Sequence, residues 1–342
     1  MDAFEIRVEV TELTLGRSPS TWQAAGDHLP RRIDSRAGSV MDLSTTLGPL
    51  RLRTPLIGAA GTVGSVVELA GLADLSRYGA AVAKSVSEDP WQGRQAPRLA
   101  PAGIGMLNSI GIQNPGIDRW VAEVGPQLGD LGVPVWGSAV GRDADEFGRV
   151  AAKLEQAGVQ AIEVNLSCPN LEGHGMFALD PNASSQVVSA VRSAVGVPIG
   201  AKLSPNAQDI VSIAAATVDS GADWLVLANT VWGAAIDIDT RRPHLSGLIG
   251  GYSGPPVKPI ALRCVLEVRS QMPEIPIIGC GGVTRGEDVV EFLQAGAAAV
   301  CVGTAHFNRP GVASTLLREL VKIMKRHDVT SVRDYIGTVE PW

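Results

Sequence analysis

Eight short apolar runs, each followed by a stretch with helical patterning, recur along the chain from Pro55 onward. They are PLIGAA (55–60), AAVAKS (80–85), VPVWGSAV (133–140), AIEVNLS (161–167), PIGAKLS (198–204), DWLVLAN (223–229), IPIIGCG (275–281) and AAVCVG (298–303). Strand-length runs alternating with helix-length segments are the pattern of parallel βα units. Their near-continuous apolarity fits strands covered on both faces. The count of eight, with no GxGxxG after the first run, predicts a (β/α)8 TIM barrel rather than an open doubly wound sheet. A chain of 342 residues, 45% hydrophobic and 19% charged, is large enough for one such barrel.

Residues 1–40 lack this period. Their opening FEIRVEV alternates and can form a strand, while the Ser18-Pro19 turn signal and the Arg31-Arg32 pair suit a poorly ordered extension or short cap. Met41 reads as a possible alternative start, and residues 41–342 as a single catalytic barrel domain.

The net charge of -6 and the lack of a Lys/Arg cluster argue against a nucleic-acid surface. Tyr and Phe number three and five, so base-stacking platforms are poorly supplied. No apolar run approaches the roughly 18 residues of a membrane span. The four cysteines lie far apart without a CxxC pair, so no zinc or iron-sulfur site is expected in the chain. With no signal peptide, reduced thiols in the cytoplasm are expected.

In a barrel, the C-terminal ends of the strands converge on one mouth. Lys84, Asn165, Lys202 and Asn229 fall at such ends, and Gly281-Gly282 and Gly303-Thr304 follow the seventh and eighth runs. Small residues there let backbone N–H groups approach a phosphate. A lysine facing such a mouth needs an anionic or electron-rich partner to offset desolvation. Asn108, Asn165, Asn170 and Asn229 offer paired amide donors and acceptors suited to the edge of a pyrimidine ring. Cys264, Cys280 and Cys301 read as small core hydrophobes. Cys168 differs: it follows a strand end within NLSCPN, where a lysine-rich, partly exposed setting would favour a thiolate able to act as a base.

These residues sit in segments that carry a family resemblance. From about Met41 to Asn308 the chain resembles the dihydroorotate dehydrogenases, in their soluble class 1 branch. The most specific segments are AKSVSEDPWQGRQAPRL (83–99), LNSIGIQNPG (107–116), NLSCPN (165–170), AKLSPN (201–206), ANT (228–230), GGYSGPPVKPIAL (250–262) and IIGCGGV (277–283). The resemblance implies that Cys168 removes a proton from C5 of dihydroorotate while hydride passes from C6 to N5 of FMN, giving orotate. A cysteine rather than a serine at this position points to class 1. It further implies that Lys84, Asn108, Ser109, Ile110, Gly111, Ile112, Asn165, Asn170, Asn229 and Thr230 hold the substrate. FMN would meet Thr62, Lys84, Ser85, Asn165, Lys202, Ala228, Gly254, Gly281, Gly282, Gly303 and Thr304. No metal is called for.

The stretches NLEGHGMFALDP and AIDIDTRRPHLSGLIGGYSGP look like the NAD-linked subgroup, which implies a homodimer paired with an iron-sulfur flavoprotein. The chain departs from the family pattern at Arg94, Ser138 and Ile249, changes expected to bear on substrate choice. Two other assignments stand beside this one. The first is a related dihydropyrimidine dehydrogenase acting on uracil or thymine, although Leu171 to Asp180 lacks the later cysteine of that group. The second is a non-catalytic flavin-binding barrel, which retention of Cys168 and the asparagines disfavours.

Overall fold

Each of the eight apolar runs contains one strand of a closed parallel barrel. The strands are β1 (Leu56–Gly58), β2 (Ala80–Val82), β3 (Val135–Ala139), β4 (Ile162–Asn165), β5 (Ile199–Lys202), β6 (Trp224–Leu227), β7 (Ile277–Cys280) and β8 (Ala299–Val302). Each pairs in parallel with its neighbours in sequence, and β8 closes onto β1 through Val300↔Leu56 and Cys301↔Ile57. The computed structural model describes residues 41–167 and 176–340. Residues 1–40, with the FEIRVEV segment, therefore lie outside the described residues, as do Cys168 and Asn170.

Alternation along the strands sorts side chains into two layers. Leu56, Val135, Ile162, Val164, Ile199, Leu225, Leu227 and Val300 face outward into the shell of helices, which includes α1 (Ile117–Val124), α2 (Ala144–Gln156), α3 (Pro181–Ala194), α4 (Ile210–Asp219), α5 (Lys258–Gln271), α6 (Gly286–Gln294) and α7 (Val312–Arg326). Asp143, Asp180 and Asp209 cap the N-termini of α2, α3 and α4 by accepting from backbone N–H groups, a contact worth about 1 kcal/mol each. Ile57, Val82, Trp136, Trp224, Val226, Ile278 and Cys301 face inward as a separate cluster.

That inner cluster is packed solid at its lower end. The rings of Trp136 and Trp224 meet at 5.2 Å between centroids. Gly200, opposite Trp224 in the β5–β6 register, makes the space, since a Cβ there would lie 2.1 Å from the indole nitrogen. A hairpin of Thr45–Leu47 and Leu50–Leu52 plugs the opening below with the fully buried Leu47 and Leu52. Among the described residues, only the opposite mouth is left for a ligand.

The loops after β2 and β6 are long, and they meet over that mouth. Leu99–Ala102 and Gly105–Asn108 form a hairpin from the first loop, and Val231–Gly233 and Gly250–Ser253 come from the second. They join as one antiparallel sheet in which Gly250–Ser253 pairs with both Val231–Gly233 and Gly105–Asn108. This cap was not expected from the sequence, whose repeating runs pointed only to the barrel.

Candidate active site

Under the cap, the strand ends enclose a cavity of about 610 Å³. Its wall brings together Thr62, Lys84, Ser85, Asn165, Lys202, Ala228, Gly254, Gly281, Gly282, Gly303 and Thr304. Asn108, Ile110, Ile112, Asn229 and Thr230 line it as well. Ser109 and Gly111 do not. Asn108, Ile110 and Ile112 line the cavity, with the backbone passing through left-handed conformations at Gly111 and Ile112 (φ +71° and +56°), while Ser109 is fully buried away from it. The Ser109 hydroxyl has no hydrogen-bond partner among the described residues. Leu99, Ile104 and Met106 give the cavity an apolar roof.

At the floor, Lys202 on β5 is buried and its Nζ lies 3.4 Å from Glu163 Oε1 on β4. Burial opposes the charged amine, but the Glu163 carboxylate, then Cys280 and Cys301, outweigh it and hold Lys202 as an ammonium above its ordinary range. Lys202 was expected to draw its partner from a bound ligand, and the fold supplies one instead. Glu163 was missed, although a carboxylate two residues before Asn165 in an otherwise apolar strand points into the same interior.

A chain of polar side chains runs round the mouth above this pair. Asn229 Nδ2 donates to Ser167 Oγ at 2.8 Å, and Ser167 Oγ donates to Asn165 Oδ1 at 3.3 Å. Asn165 Nδ2 donates to Ser85 Oγ at 3.0 Å, and Ser85 and Ser138 share a hydrogen bond of 2.9 Å. The asparagines are thus oriented by the protein, and part of their amide capacity is already engaged. Asn108 likewise donates to the Gly251 carbonyl at 3.0 Å, tying it to the cap. Asn229 Nδ2 also reaches the Ser167 carbonyl, at 3.4 Å.

Of the three departures, only Ser138 enters this network. Ile249 is 56% exposed, and Arg94 lies outside the cavity wall with its buried Nε lacking a partner among the described residues. The cysteines also divide. Cys264 and Cys301 are buried as expected, whereas Cys280 is partly exposed and lines the cavity, so it is not a core thiol.

The two glycine loops lie side by side because β7 and β8 are neighbours. The first is held by Asp288, the third residue of α6, which accepts from the backbone N–H of Thr284 at 2.8 Å and of Arg285 at 3.0 Å. Lys258 Nζ reaches the other oxygen of the same carboxylate at 2.7 Å. Gly282 has φ +76°, and a Cβ there would lie 2.9 Å from the Lys258 nitrogen, so no larger residue fits this turn.

Behind the second loop, Thr62 Oγ1 donates to the Ala59 carbonyl at 2.9 Å and lies 3.0 Å from His306 Nδ1. Tyr78 Oη sits 2.6 Å from His306 Nε2. One donor order satisfies all three contacts: Tyr78 donates to Nε2, and Nδ1–H donates to Thr62. Burial pushes the Tyr78 hydroxyl well above the usual phenol range and lowers His306 to about 4. Both groups are therefore neutral near neutrality. No sequence pattern flagged His306 or Tyr78, which lie far apart along the chain.

Among the described residues no cluster of three or more His, Cys, Asp or Glu could hold a metal ion, and no helix is long and apolar enough to cross a membrane.

A closed parallel barrel with a polar, lysine-floored cavity at its C-terminal mouth is the framework of a barrel enzyme with its site in the strand-end loops. The family model described as dihydroorotate dehydrogenase matches residues 42–324, and the chain belongs to that family. The family is flavin-dependent. The chain is 42% identical over 301 residues to a protein of Geobacter sp. (strain M21) named dihydroorotate dehydrogenase B (NAD(+)), catalytic subunit. The match spans 87% of this chain and 98% of that one. A protein of the same name from Maridesulfovibrio salexigens is 43% identical over 303 residues, 88% of this chain and 99% of the relative. Among solved structures, a dihydroorotate dehydrogenase of Eimeria tenella in complex with ferulenol superposes with a TM-score of 0.73 at 21% identity. It covers 86% of this chain and 88% of its own, a likeness of fold.

Two outcomes follow from the buried groups. Glu163→Gln strands the Lys202 ammonium in the barrel and is expected to lower stability by about 3–5 kcal/mol, the usual cost of breaking a buried ion pair, as measured by urea unfolding. His306 takes up a proton on unfolding at any pH between about 4 and 6.5. Its folded value is depressed, so the associated stability is complete above 6.5 and is lost as pH falls toward 4, amounting to roughly 3 kcal/mol. In His306→Gln the slope of unfolding free energy against pH is expected to be shallower across that window.

Proposed function

We propose that this chain is the FMN-dependent catalytic subunit of a NAD-linked dihydroorotate dehydrogenase, oxidising dihydroorotate to orotate. The convergence of Lys84, Lys202, Asn165, Asn229 and the two glycine loops on one cavity carries the proposal. The cavity volume lies within the range of cofactor pockets. Its donor set suits FMN: backbone N–H groups after β7 and β8 would hold a phosphate, and the Lys202 cation and the Asn165 amide would hold an electron-rich ring system. When bound, FMN supplies a two-electron acceptor for the hydride leaving C6 of the substrate.

The chain's own groups do the rest. Cys168, as a thiolate, takes the proton from C5, next to the ring carbonyl. Loss of that proton develops enolate character, which the amide donors of Asn108 and Asn229 would stabilise. Asn165 and Ser167 hold this arrangement through the polar chain around the mouth. Lys84, at the end of β2, offers a positive charge to the substrate carboxylate. Asn170 and Thr230 complete the substrate's amide contacts, and the 108–112 segment closes over the ring. The apolar roof excludes water from the reacting face.

The relatives' name, catalytic subunit, implies a partner, and we assign that role to an iron-sulfur flavoprotein that passes electrons to NAD, on a homodimer of this chain. Exposed apolar residues on and beside the cap, Ile104, Trp232, Ile238 and Leu248 among them, are consistent with protein contacts there. Cytoplasmic residence fits the unpaired Cys264, Cys280 and Cys301.

Purified protein is expected to be yellow with the absorption of FMN, and dihydroorotate added without oxygen should bleach it. Bleaching by dihydrouracil and not by dihydroorotate would instead assign the chain to the dihydropyrimidine dehydrogenases, and bleaching by neither would indicate a non-catalytic flavin barrel. Cys168→Ala should retain FMN but slow the bleaching by about 10²–10⁴-fold, the usual contribution of a positioned base. An unchanged rate would remove Cys168 from the mechanism.

A further inference from the structure

Cys280 and Cys301 are far apart in sequence but directly opposite each other in the register of β7 and β8. Both belong to the inner layer of the barrel, where Cys280 packs against the cluster containing Cys301. Each thiol is the first influence on the other's protonation. Neighbouring strands run about 4.7–4.9 Å apart, within the roughly 4.4–6.8 Å between Cα atoms that a disulfide spans. The two differ in access: Cys280 is partly exposed in the cavity, whereas Cys301 is 1% exposed behind it.

We propose that Cys280 and Cys301 form a peroxide-reactive dithiol in the wall of the cavity that closes to a cross-strand disulfide. Access and charge give the two sulfurs different tasks. The hydrogen bond from Cys301 holds the Cys280 thiol below the ordinary thiol range against the effect of burial, and the Lys202 ammonium acts in the same direction. Cys301 is pushed well above that range by the same hydrogen bond and by burial. Cys280, the thiol that reaches the cavity, is therefore the attacking sulfur, and Cys301, buried behind it, is the resolving one.

In the first step the Cys280 thiolate attacks one oxygen of hydrogen peroxide. The O–O bond breaks, hydroxide leaves, and Cys280 becomes a sulfenic acid, oxidised by two electrons as the peroxide is reduced. In the second, Cys301 gives up its proton and attacks the Cys280 sulfur. The S–O bond breaks, the S–S bond forms, and the departing hydroxide with that proton leaves as water. Two thiols and one peroxide yield one disulfide and two waters. The proposed oxidation of dihydroorotate uses neither thiol, and the pairing depends on strand register rather than on the identity of any ligand in the cavity.

The test is peptide mapping of the purified full-length protein after hydrogen peroxide, with free thiols alkylated under denaturing conditions. Arg285 lies between the two cysteines, so trypsin places them on separate peptides. The expected product is a Cys280–Cys301 cross-linked pair, lighter by two hydrogen atoms than the sum of its parts and reversed by dithiothreitol, with Cys264 still alkylated. Cys301→Ser should stop the reaction at a Cys280 sulfenic acid that dimedone traps, and Cys280→Ser should leave Cys301 unoxidised. A disulfide from Cys280 to Cys168 or Cys264 would overturn the proposal. So would free, alkylated Cys280 and Cys301 once other thiols have oxidised, or unchanged oxidation of Cys301 in Cys280→Ser. None of these outcomes depends on dihydroorotate turnover, so the functional proposal stands or falls separately.

Discussion

Closure of eight parallel strands onto one another is the constraint from which the rest of this molecule follows. A parallel strand buries both faces, and a closed barrel divides those faces into an outer layer against helices and an inner layer with no exit except at its ends. One end is filled by Trp136, Trp224 and the Thr45–Leu52 hairpin. Polar residues on the inner layer must therefore satisfy one another or face the remaining mouth. Lys202 does both: it meets Glu163 inside the barrel and borders the cavity above. A lone ammonium at that depth would cost several kcal/mol, so the carboxylate two residues before Asn165 is a condition of the site.

The cap adds what a bare barrel mouth lacks. Segments after β2 and β6 leave the barrel, pair with each other and return, so backbone hydrogen bonds between remote parts of the chain hold an apolar roof over a polar floor. Asn108 belongs to both parts, lining the cavity while its amide donates to Gly251 across the sheet. Displacing the cap would thus move a candidate substrate ligand with it. The chain of hydrogen bonds from Asn229 to Ser138 does for the strand ends what this contact does for the roof: it removes rotamer freedom from side chains that must present defined edges.

Titratable groups beneath the cavity are kept in opposite states by the same burial. His306 is held neutral because the interior disfavours its cation and Tyr78 supplies a donor to its free nitrogen. Lys202 stays charged because a carboxylate stands beside it. The difference lies in the partner rather than in the depth. Cys280 and Cys301 show this on the smallest scale, two chemically identical thiols shifted in opposite directions by their contact with each other.

Much of this was legible in the chain because it is local. Strand positions follow from apolar runs of the right length, and all eight were placed by that pattern; the ends of strands mark the mouth, so Lys84, Asn165, Lys202 and Asn229 could be gathered before any coordinates. The pairing of the cap strands could not, since nothing in residues 99–108 indicates that 250–253 will lie alongside. Ser109 and Gly111 are separated from their cavity-lining neighbours by the course of the backbone, which is left-handed at Gly111 and Ile112 and which no local pattern announces. Glu163 as a partner for Lys202, His306 as a partner for Thr62, and the register that sets Cys280 against Cys301 depend on which strands become neighbours and on which face each side chain takes. The sequence by itself determined the barrel, its mouth and the kinds of group found there, because periodicity and composition act over a few residues. The tertiary structure alone decided which of those groups are paired, neutralised or left facing the cavity, because desolvation and hydrogen bonding act through space.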